Sequence, residues 1–388
     1  LPTPGVNPTY IQQFFASQSG ETFNFFNAFT GGSFETMSIF ALSITPYITS
    51  SIIVQLLTIA IPKLEEMNKD GDGKKKLATL TRYATVILAL VESTAMAVGF
   101  GRQGLLTNYN FVNAAIVVLT LTAGSAFLMW IGEQITAKGV GNGISLIIFA
   151  GIVSRLPEGL QIIFQYLQAG TVNLLNVILF AVIALAMIVF VILISQGVRK
   201  IPIQYAKRVV GKRLYGGHSS YIPLKVNQAG VIPIIFASSV LMFPTTIAQF
   251  VDVPWVKTVG QWFAWGTPLQ TTCYVLFILF FTYFYTAVSL NINDMSDNIK
   301  KNGGFIPGMR PGKPTTDYLD RVMSRITLAG AIFLSLIALM PNIIGWMTHI
   351  EGIYFGGTAL LIVVGVALDT MKQIESLVLQ RHYHGFMK

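Results

Sequence analysis

Residues 172–195 read VNLLNVILFAVIALAMIVFVILIS and contain no charged side chain. A helix needs about 20 consecutive apolar residues to cross a bilayer, so this stretch is long enough to span a membrane. The whole chain has the same character, because 53% of its 388 residues are hydrophobic and 11% are charged, against about 25% charged in soluble domains. Its mean hydropathy is +0.62. The sequence therefore predicts an all-α, multi-pass membrane protein.

The chain contains nine apolar runs, this stretch among them, that we interpret as membrane spans. The fourth is short for a full crossing, and its neighbour LQIIFQYL (160–167) could lengthen it or lie at the membrane interface. The predicted spans are residues 36–60, 77–100, 111–135, 143–156, 172–195, 228–250, 272–290, 326–346 and 356–371.

The distribution of positive charge predicts the orientation of these spans. Nearly all of the 26 Lys and Arg residues fall in alternate loops or in the C-terminal tail. The intervening loops hold only Arg102, Arg155 and Lys257. Because cytoplasmic loops are enriched in Lys and Arg, the basic loops and the C-terminus are predicted to be cytoplasmic. The net charge of +9 is largely explained in this way, and nucleic acid is not required to explain it.

Two predicted cytoplasmic loops are longer than a simple connection needs. Residues 197–225 carry seven basic residues and no Asp or Glu, and residues 291–325 contain GGFIPGMRPG, whose Gly and Pro predict a shaped turn that projects Arg310. The charge could be ordinary solvated, orienting charge. Alternatively, the loops dock an acidic protein surface or RNA phosphates, which arginine binds with paired donors.

Two spans carry a proline near mid-membrane, Pro46 and Pro233, each followed by an isoleucine and a serine pair. Five spans separate them, so they run in opposite directions. This pattern indicates a helical unit repeated with inverted topology, whose interrupted segments line a transport pathway. The alternative is that membrane helices simply tolerate prolines.

The sequence offers no set of residues for catalysis, a cofactor or a metal. It has a single cysteine, Cys273, and four histidines that fall in loops or the tail, whereas metal sites need clustered ligands. Within the predicted spans the clearest ionisable residues are Glu92 and Glu133, each nearer a helix end than its centre. Charge deep in the bundle is typical of ion-coupled carriers, so a small-solute secondary transporter is the weaker hypothesis.

Several long motifs resemble bacterial SecY, the protein-conducting channel subunit of the secretion translocon. The segments that carry the resemblance are SIFALSITPYITSSIIVQLL (38–57), GEQITAKGVGNGISLIIFAGIV (132–153), PLKVNQAGVIPIIFASS (223–239), GGFIPGMRPGKPT (303–315) and FGGTALLIVVGVALDT (355–370). The family has ten transmembrane helices, and the opening Pro2 to Val6 is similar to the family segment that follows the first of them. The resemblance implies a polytopic bundle of two inverted five-helix halves, here residues 1–171 and 172–388.

The resemblance also implies a ring of aliphatic side chains at the waist of the channel, and such a ring blocks ions by dewetting. The residues carried over to this ring are Ile44, Ile48, Ile148, Ile152, Ile235 and Ile362. Residues 7–29 are too polar to span and are similar to the family's external plug helix. A merely interfacial helix is the alternative for this segment.

A lateral gate towards lipid is expected between the first two spans and the sixth and seventh. Its candidate polar residues are Gln55, Thr85 and Asn227, since a hydrogen bond between membrane helices is worth only about 0.6 kcal/mol and can open for a signal sequence.

The resemblance also implies partners: the SecE and SecG subunits, the ribosome, the secretory polypeptide, membrane lipid and the SecA ATPase. ATP is expected to bind to SecA and not to this chain. Lys207, Arg208 and Arg310 are the candidate docking residues. No DNA partner, cofactor or metal is expected, and the bacterial plasma membrane is the expected location.

Overall fold

The structure is a computed structural model that describes residues 1–7, 11, 30–102, 104, 106, 109–170, 172–205, 208–210, 213–215, 219–238, 240–241, 254–263, 267–348 and 357–385. This part of the chain is mostly helical, and residues 232–238 and 240–241 are helical in addition to the named elements. The helices are α1 (Thr45–Ala60), α2 (Pro62–Lys69), α3 (Gly71–Arg102), α4 (Phe111–Lys138), α5 (Gly143–Ser154), α6 (Leu156–Gln168), α7 (Leu174–Gln196), α8 (Pro254–Trp262), α9 (Pro268–Ser289), α10 (Ile292–Lys301), α11 (Lys313–Thr348) and α12 (Gly357–Gly385). The strands are β1 (Val198–Tyr205), β2 (Arg208–Val210), β3 (Arg213–Tyr215), β4 (Ser219–Lys225) and β5 (Gly304–Phe305).

Six described helical stretches are long and apolar enough to cross a membrane, and α1 with α2 makes a seventh if this pair, bent by 108°, counts as one span. One of the six is α5 together with α6, so the short fourth run is indeed extended by its neighbour. The predicted sixth span is described only at residues 228–238 and 240–241, and the predicted ninth falls within α12 from residue 357 onward. The helical membrane fold is therefore confirmed, and the number of nine spans stays a prediction.

The first predicted span is wrong at its start. Residues 36–60 were expected to form one run, but the helix begins only at Thr45 and the preceding residues form turns. Met37 and Ser43 in these turns adopt positive φ angles, which a helix excludes. Pro46 lies in the first turn of α1, where its missing N–H leaves no helical hydrogen bond unmade.

Small and hydroxylated side chains bring the helices of the N-terminal part together. The Ser50 hydroxyl of α1 donates to the carbonyl of Thr81 in α3 at 2.9 Å. Further along, the hydroxyls of Ser93 and Thr122 lie 3.0 Å apart. A Cβ on Gly124 would come within 2.1 Å of the Ile39 carbonyl oxygen, so glycine allows α4 to approach the turns before α1.

The C-terminal part has its own apolar core, formed by α7, α9, α11, α12 and the helical residues 232–238. Ile278 and Leu334 lie fully buried within this core. Helix α12 also packs against α5, and this contact joins the N-terminal helices to the C-terminal ones. The division into inverted halves at residues 171 and 172 stays a prediction.

Described parts of the two long basic loops pack together, which the sequence analysis did not predict. Strand β1 of the first loop pairs antiparallel with β4 and, through Gln204 and Tyr205, with β5 of the second loop. Apolar side chains from both loops and from the start of α11 share one core, among them Ile203, Ile299, Ile306 and Leu319. We call residues 198–225 and 290–323 the cytoplasmic platform, following the predicted orientation.

Candidate pore, seam and docking surface

Four of the six isoleucines carried over to the ring meet in one apolar cluster. Ile148 and Ile152 of α5 and Ile362 of α12 are among its buried members, and the partly buried Ile48 of α1 packs against the cluster. Ile362 is 2% exposed. We call this set, with Ala359 and Val366, the aliphatic cluster.

Helical spacing explains why these side chains converge. Ile148 and Ile152 are four residues apart, as are Ile362 and Val366, and residues so spaced lie on one helix face. Each of the two helices therefore presents a branched aliphatic strip to the other, and α1 contributes Ile48 to the same cluster. The side chains of the aliphatic cluster are apolar and uncharged. They can exclude water and ions, but they cannot polarise a bond.

Two isoleucines of the predicted ring lie elsewhere in the described structure. Ile44 is buried immediately before α1, and Ile235 is half-buried in the helical residues 232–238. Neither belongs to the aliphatic cluster as the described residues form it, although Val231, one helical turn before Ile235, does pack against it. The role of all six residues in a constriction stays a prediction.

Sequence reasoning missed Val231, Ala359 and Val366 as members of the aliphatic cluster. A signal for two of them was present. Ala359 and Val366 lie three residues before and four residues after Ile362, which is the spacing of one helix face. Val231 had no such signal, because its contact depends on how two distant segments pack.

The candidate residues of the predicted lateral gate, which we call the seam, differ in their polar contacts. The side chains of Gln55 in α1 and Tyr285 in α9 lie close enough to interact, which relates the first predicted span to the seventh. Thr85 is fully buried, but its hydroxyl donates to the Thr81 carbonyl of its own helix at 2.7 Å. The Asn227 side-chain oxygen is buried without a hydrogen-bond partner among the described residues.

Glu133, one of the two carboxylates that the sequence analysis singled out, forms an ion pair. Its Oε1 accepts a hydrogen bond from Arg82 Nε at 2.7 Å, and the two side chains belong to α4 and α3. The pair joins two neighbouring helices of the N-terminal part. A carboxylate that is paired in this way has a structural role and need not carry a coupling ion.

Three glycines with positive φ angles shape the turn of the second long loop: Gly303 (69°), Gly308 (83°) and Gly312 (108°). Residues with side chains rarely adopt this conformation. The Thr315 hydroxyl donates to the carbonyl of Arg310 at 2.9 Å and fixes the backbone there, while the Arg310 side chain is exposed. The predicted shaped turn with a projecting arginine is therefore present.

The other candidate docking residues are less fully described. Arg208 lies in β2, where its backbone pairs with Tyr215 of β3. Lys207 lies outside the described residues, as does the predicted plug segment 7–29 except for Asn7 and Ile11. Ile11 is fully buried against other residues of the N-terminal part. A plug role for this segment stays a prediction.

No group of three or more His, Cys, Asp or Glu side chains lies close enough to hold a metal ion within the ranges that the structure describes. Cys273 is a free thiol in α9. The described residues thus form the aliphatic cluster, the polar seam and the basic cytoplasmic platform.

Comparison with known proteins agrees with this arrangement. The SecY family model matches residues 38–371. The chain is 47% identical to the protein translocase subunit SecY of Halalkalibacterium halodurans, with 100% of this chain and 92% of that protein covered. It is 44% identical to the SecY subunit of Pseudomonas aeruginosa, with 100% and 89% covered.

Solved structures share the fold at lower sequence identity. A protein-conducting channel has a TM-score of 0.62 at 21% identity, with 91% of this chain and 84% of that chain covered. Sec61 from a canine ribosome–channel complex of the endoplasmic reticulum has a TM-score of 0.58 at 19% identity over the same shares. Because the family match extends over most of the sequence and the relatives align with all of it, the chain belongs to the SecY family.

Proposed function

We propose that this chain is the channel-forming subunit of a protein translocase in the bacterial plasma membrane. It moves unfolded secretory polypeptides across the membrane and releases transmembrane segments sideways into lipid. The observation that carries the proposal is the aliphatic cluster, because its side chains come from α1, α5 and α12, which belong to both parts of the chain. A contact of branched aliphatic side chains seals against ions and can yield around a peptide of any sequence.

The polar seam supports lateral release. The polar interaction between the side chains of Gln55 and Tyr285 lies across the described part of this seam. Bonds between membrane helices average about 0.6 kcal/mol, so an arriving apolar signal sequence can replace this contact with its own. The unpaired oxygen of Asn227 lies in the segment that precedes the sixth predicted span and offers a further acceptor there.

The cytoplasmic platform supports docking of a driving partner. Its exposed Arg310 is held on a fixed turn, and its first loop has no acidic residue to neutralise its positive charge. Arginine binds carboxylates and phosphates through paired donors, which suits both the SecA ATPase and the RNA of a ribosome. SecE and SecG complete the assembly, and the C-terminus is cytoplasmic. The chain acts as a channel and not as an enzyme.

Site-specific cross-linking tests the proposed function. A photoreactive amino acid replaces Ile48 or Ile235, and a stalled secretory polypeptide is supplied with SecA and ATP. The expected result is a covalent adduct with the polypeptide. The control position is Leu185 of α7, which is 64% exposed and should react with lipid. Adducts with a small solute and none with the polypeptide would favour a secondary transporter instead.

A further inference from the structure

The turn between α4 and α5 is bonded to a residue near the middle of α12. The backbone N–H of Gly141 donates to Oε1 of Gln373 at 2.8 Å. This hydrogen bond joins the N-terminal helices to a helix of the C-terminal part. It lies beside the packing contact of α5 with α12, and these are the two helices that supply the buried isoleucines of the aliphatic cluster.

The turn is held rigidly by its own contacts. The Asn142 side chain caps α5 by accepting from the N–H groups of Ile144 at 3.1 Å and Ser145 at 3.3 Å. The Thr136 hydroxyl accepts from the N–H of Gly143 at 2.9 Å. A movement of this turn therefore carries α5 with it, because the turn is bonded on both sides.

Gly141 itself is adapted to the contact with α12. Its φ angle is +88°, and a Cβ built on it would lie 3.1 Å from the Thr370 hydroxyl oxygen. Glycine both adopts this backbone conformation without strain and leaves room for the close approach. The N–H is thereby aimed at Gln373 from a fixed position.

Helical geometry relates this bond to the waist. Gln373 follows Ile362 by eleven residues, and at about 100° per residue the two side chains lie on the same face of α12, roughly three turns apart. Ile148 lies about two turns into α5 from Gly141. The hydrogen bond therefore links the turn before α5 to the face of α12 that carries Ile362, about three helical turns beyond the aliphatic cluster.

We propose that Gln373 is a positioning residue of the channel. Its amide oxygen keeps α12 against the α4–α5 turn, and this contact sets how closely α5 and α12 approach at the aliphatic cluster in the resting state. Loss of the acceptor shifts the channel towards a wider waist. The proposal rests on the proposed channel function, and it adds a residue outside the cluster that acts through Ile148, Ile152 and Ile362.

The test compares two substitutions of Gln373 that differ in hydrogen-bonding capacity. Gln373→Met keeps the length of the side chain and removes the amide acceptor, whereas Gln373→Glu keeps an oxygen acceptor. The complete translocon is reconstituted into planar bilayers, and the resting ion leak is normalised to the amount of inserted channel. Since one neutral hydrogen bond is worth about 1 kcal/mol, Gln373→Met should raise the leak by roughly fivefold. Gln373→Glu should stay within about twofold of the unmodified channel.

Glu375→Met provides the matched control, because Glu375 is, like Gln373, an exposed residue of α12 but lies two positions further along the helix. It should leave the leak unchanged. If Gln373→Met does not accumulate, Gln373→Lys, which also lacks an acceptor, is measured in its place. An unchanged leak in the acceptor-free variant, or an equal rise in Gln373→Glu, would overturn the positioning role. This result is distinguishable from failure of the channel function, because that function is tested separately by cross-linking at Ile48 in the unmodified chain.

Discussion

Ile362 combines two properties that a sealing residue needs, namely nearly complete burial and contact with helices from both parts of the chain. Replacing it with serine puts a hydroxyl into an apolar contact and leaves a cavity that water can enter. We expect Ile362→Ser to raise the ion conductance of the resting channel by an order of magnitude, measured in planar bilayers. Ile178→Ser on α7 is the matched control, because Ile178 is 54% exposed and faces away from the core. Equal conductance in the two variants would remove Ile362 from the constriction.

Arg310 lies at the end of a turn whose backbone is fixed, so its exposed guanidinium is presented to a partner at little entropic cost. We expect Arg310→Glu to abolish SecA-driven translocation, because it opposes an acidic docking surface with a like charge. The protein should still insert, since the side chain takes part in no described packing core. Translocation of a secretory polypeptide into inverted membrane vesicles measures the effect.

The control for Arg310 is the same charge reversal at Lys76, an exposed residue of α3 in another basic segment. Lys76→Glu should leave translocation close to normal. Unimpaired transport by Arg310→Glu would show that the turn does not dock the motor.

At the level of elements, an arginine ties the turns before α1 to the junction of α5 and α6. Arg155 Nη2 lies 3.2 Å from Glu35 Oε2 and 2.8 Å from Glu158 Oε2, and the arginine side chain is 19% exposed. Because the pairs are partly solvated, Arg155→Gln should lower the free energy of unfolding by about 0.5–1 kcal/mol. Thermal unfolding in detergent, followed by intrinsic fluorescence, measures this change.

A double-mutant cycle separates the pair from general damage at this junction. Glu35→Gln should lower the melting temperature in the unmodified chain and have little effect once Arg155 is already Gln. Additive effects of the two substitutions would mean that the ion pair does not couple the turns to α5.

The shared core of the cytoplasmic platform predicts that each basic loop supports the other. Ile306 is buried in the second loop beside Ile203 of the first. Ile306→Asn should therefore loosen the first loop by burying an amide without a partner, and tryptic cleavage within residues 197–225 should accelerate several-fold. Met309→Asn is a milder comparison, because Met309 is only half-buried against the same core. Unchanged cleavage in Ile306→Asn would mean that the loops fold independently.

This platform also shows which features the sequence could predict. The alternation of Ile201 and Ile203 with Lys200, Pro202 and Gln204 has the period of a strand, but the loop was interpreted through its charge and the signal was missed. The pairing of β1 with β5 has no local signal, because β5 has two residues and its partner is a hundred residues away. Long apolar runs predicted six of the described membrane helices, since hydropathy is the main signal for such helices.

The site was predictable only in part, for a related reason. Ile148 and Ile152 could be assigned to one face from their spacing, whereas their contact with Ile362 depends on packing between distant segments. Turns with positive φ before Thr45 could not be foreseen, because the apolar composition continues through them. Residue type thus predicted an apolar and uncharged cluster, and the structure was needed to show which helices form it.

For the whole molecule, the separation of the two parts at the seam is the motion that lateral release requires. Gln55 and Tyr285 are in contact across the seam, so cysteines at both positions can be joined by a short thiol cross-linker. Joining them should block release of a transmembrane segment into lipid, because the helices can no longer part, and cleavage of the linker should restore it. Lipid extraction of a membrane-inserted substrate measures release. Arg82 and Glu133 are the control pair, since their contact lies between α3 and α4 within the N-terminal part, and joining them leaves the seam able to open. If both cross-links block release equally, rigidity of the bundle and not closure of the seam would be the cause, and the lateral exit would have to lie between other helices.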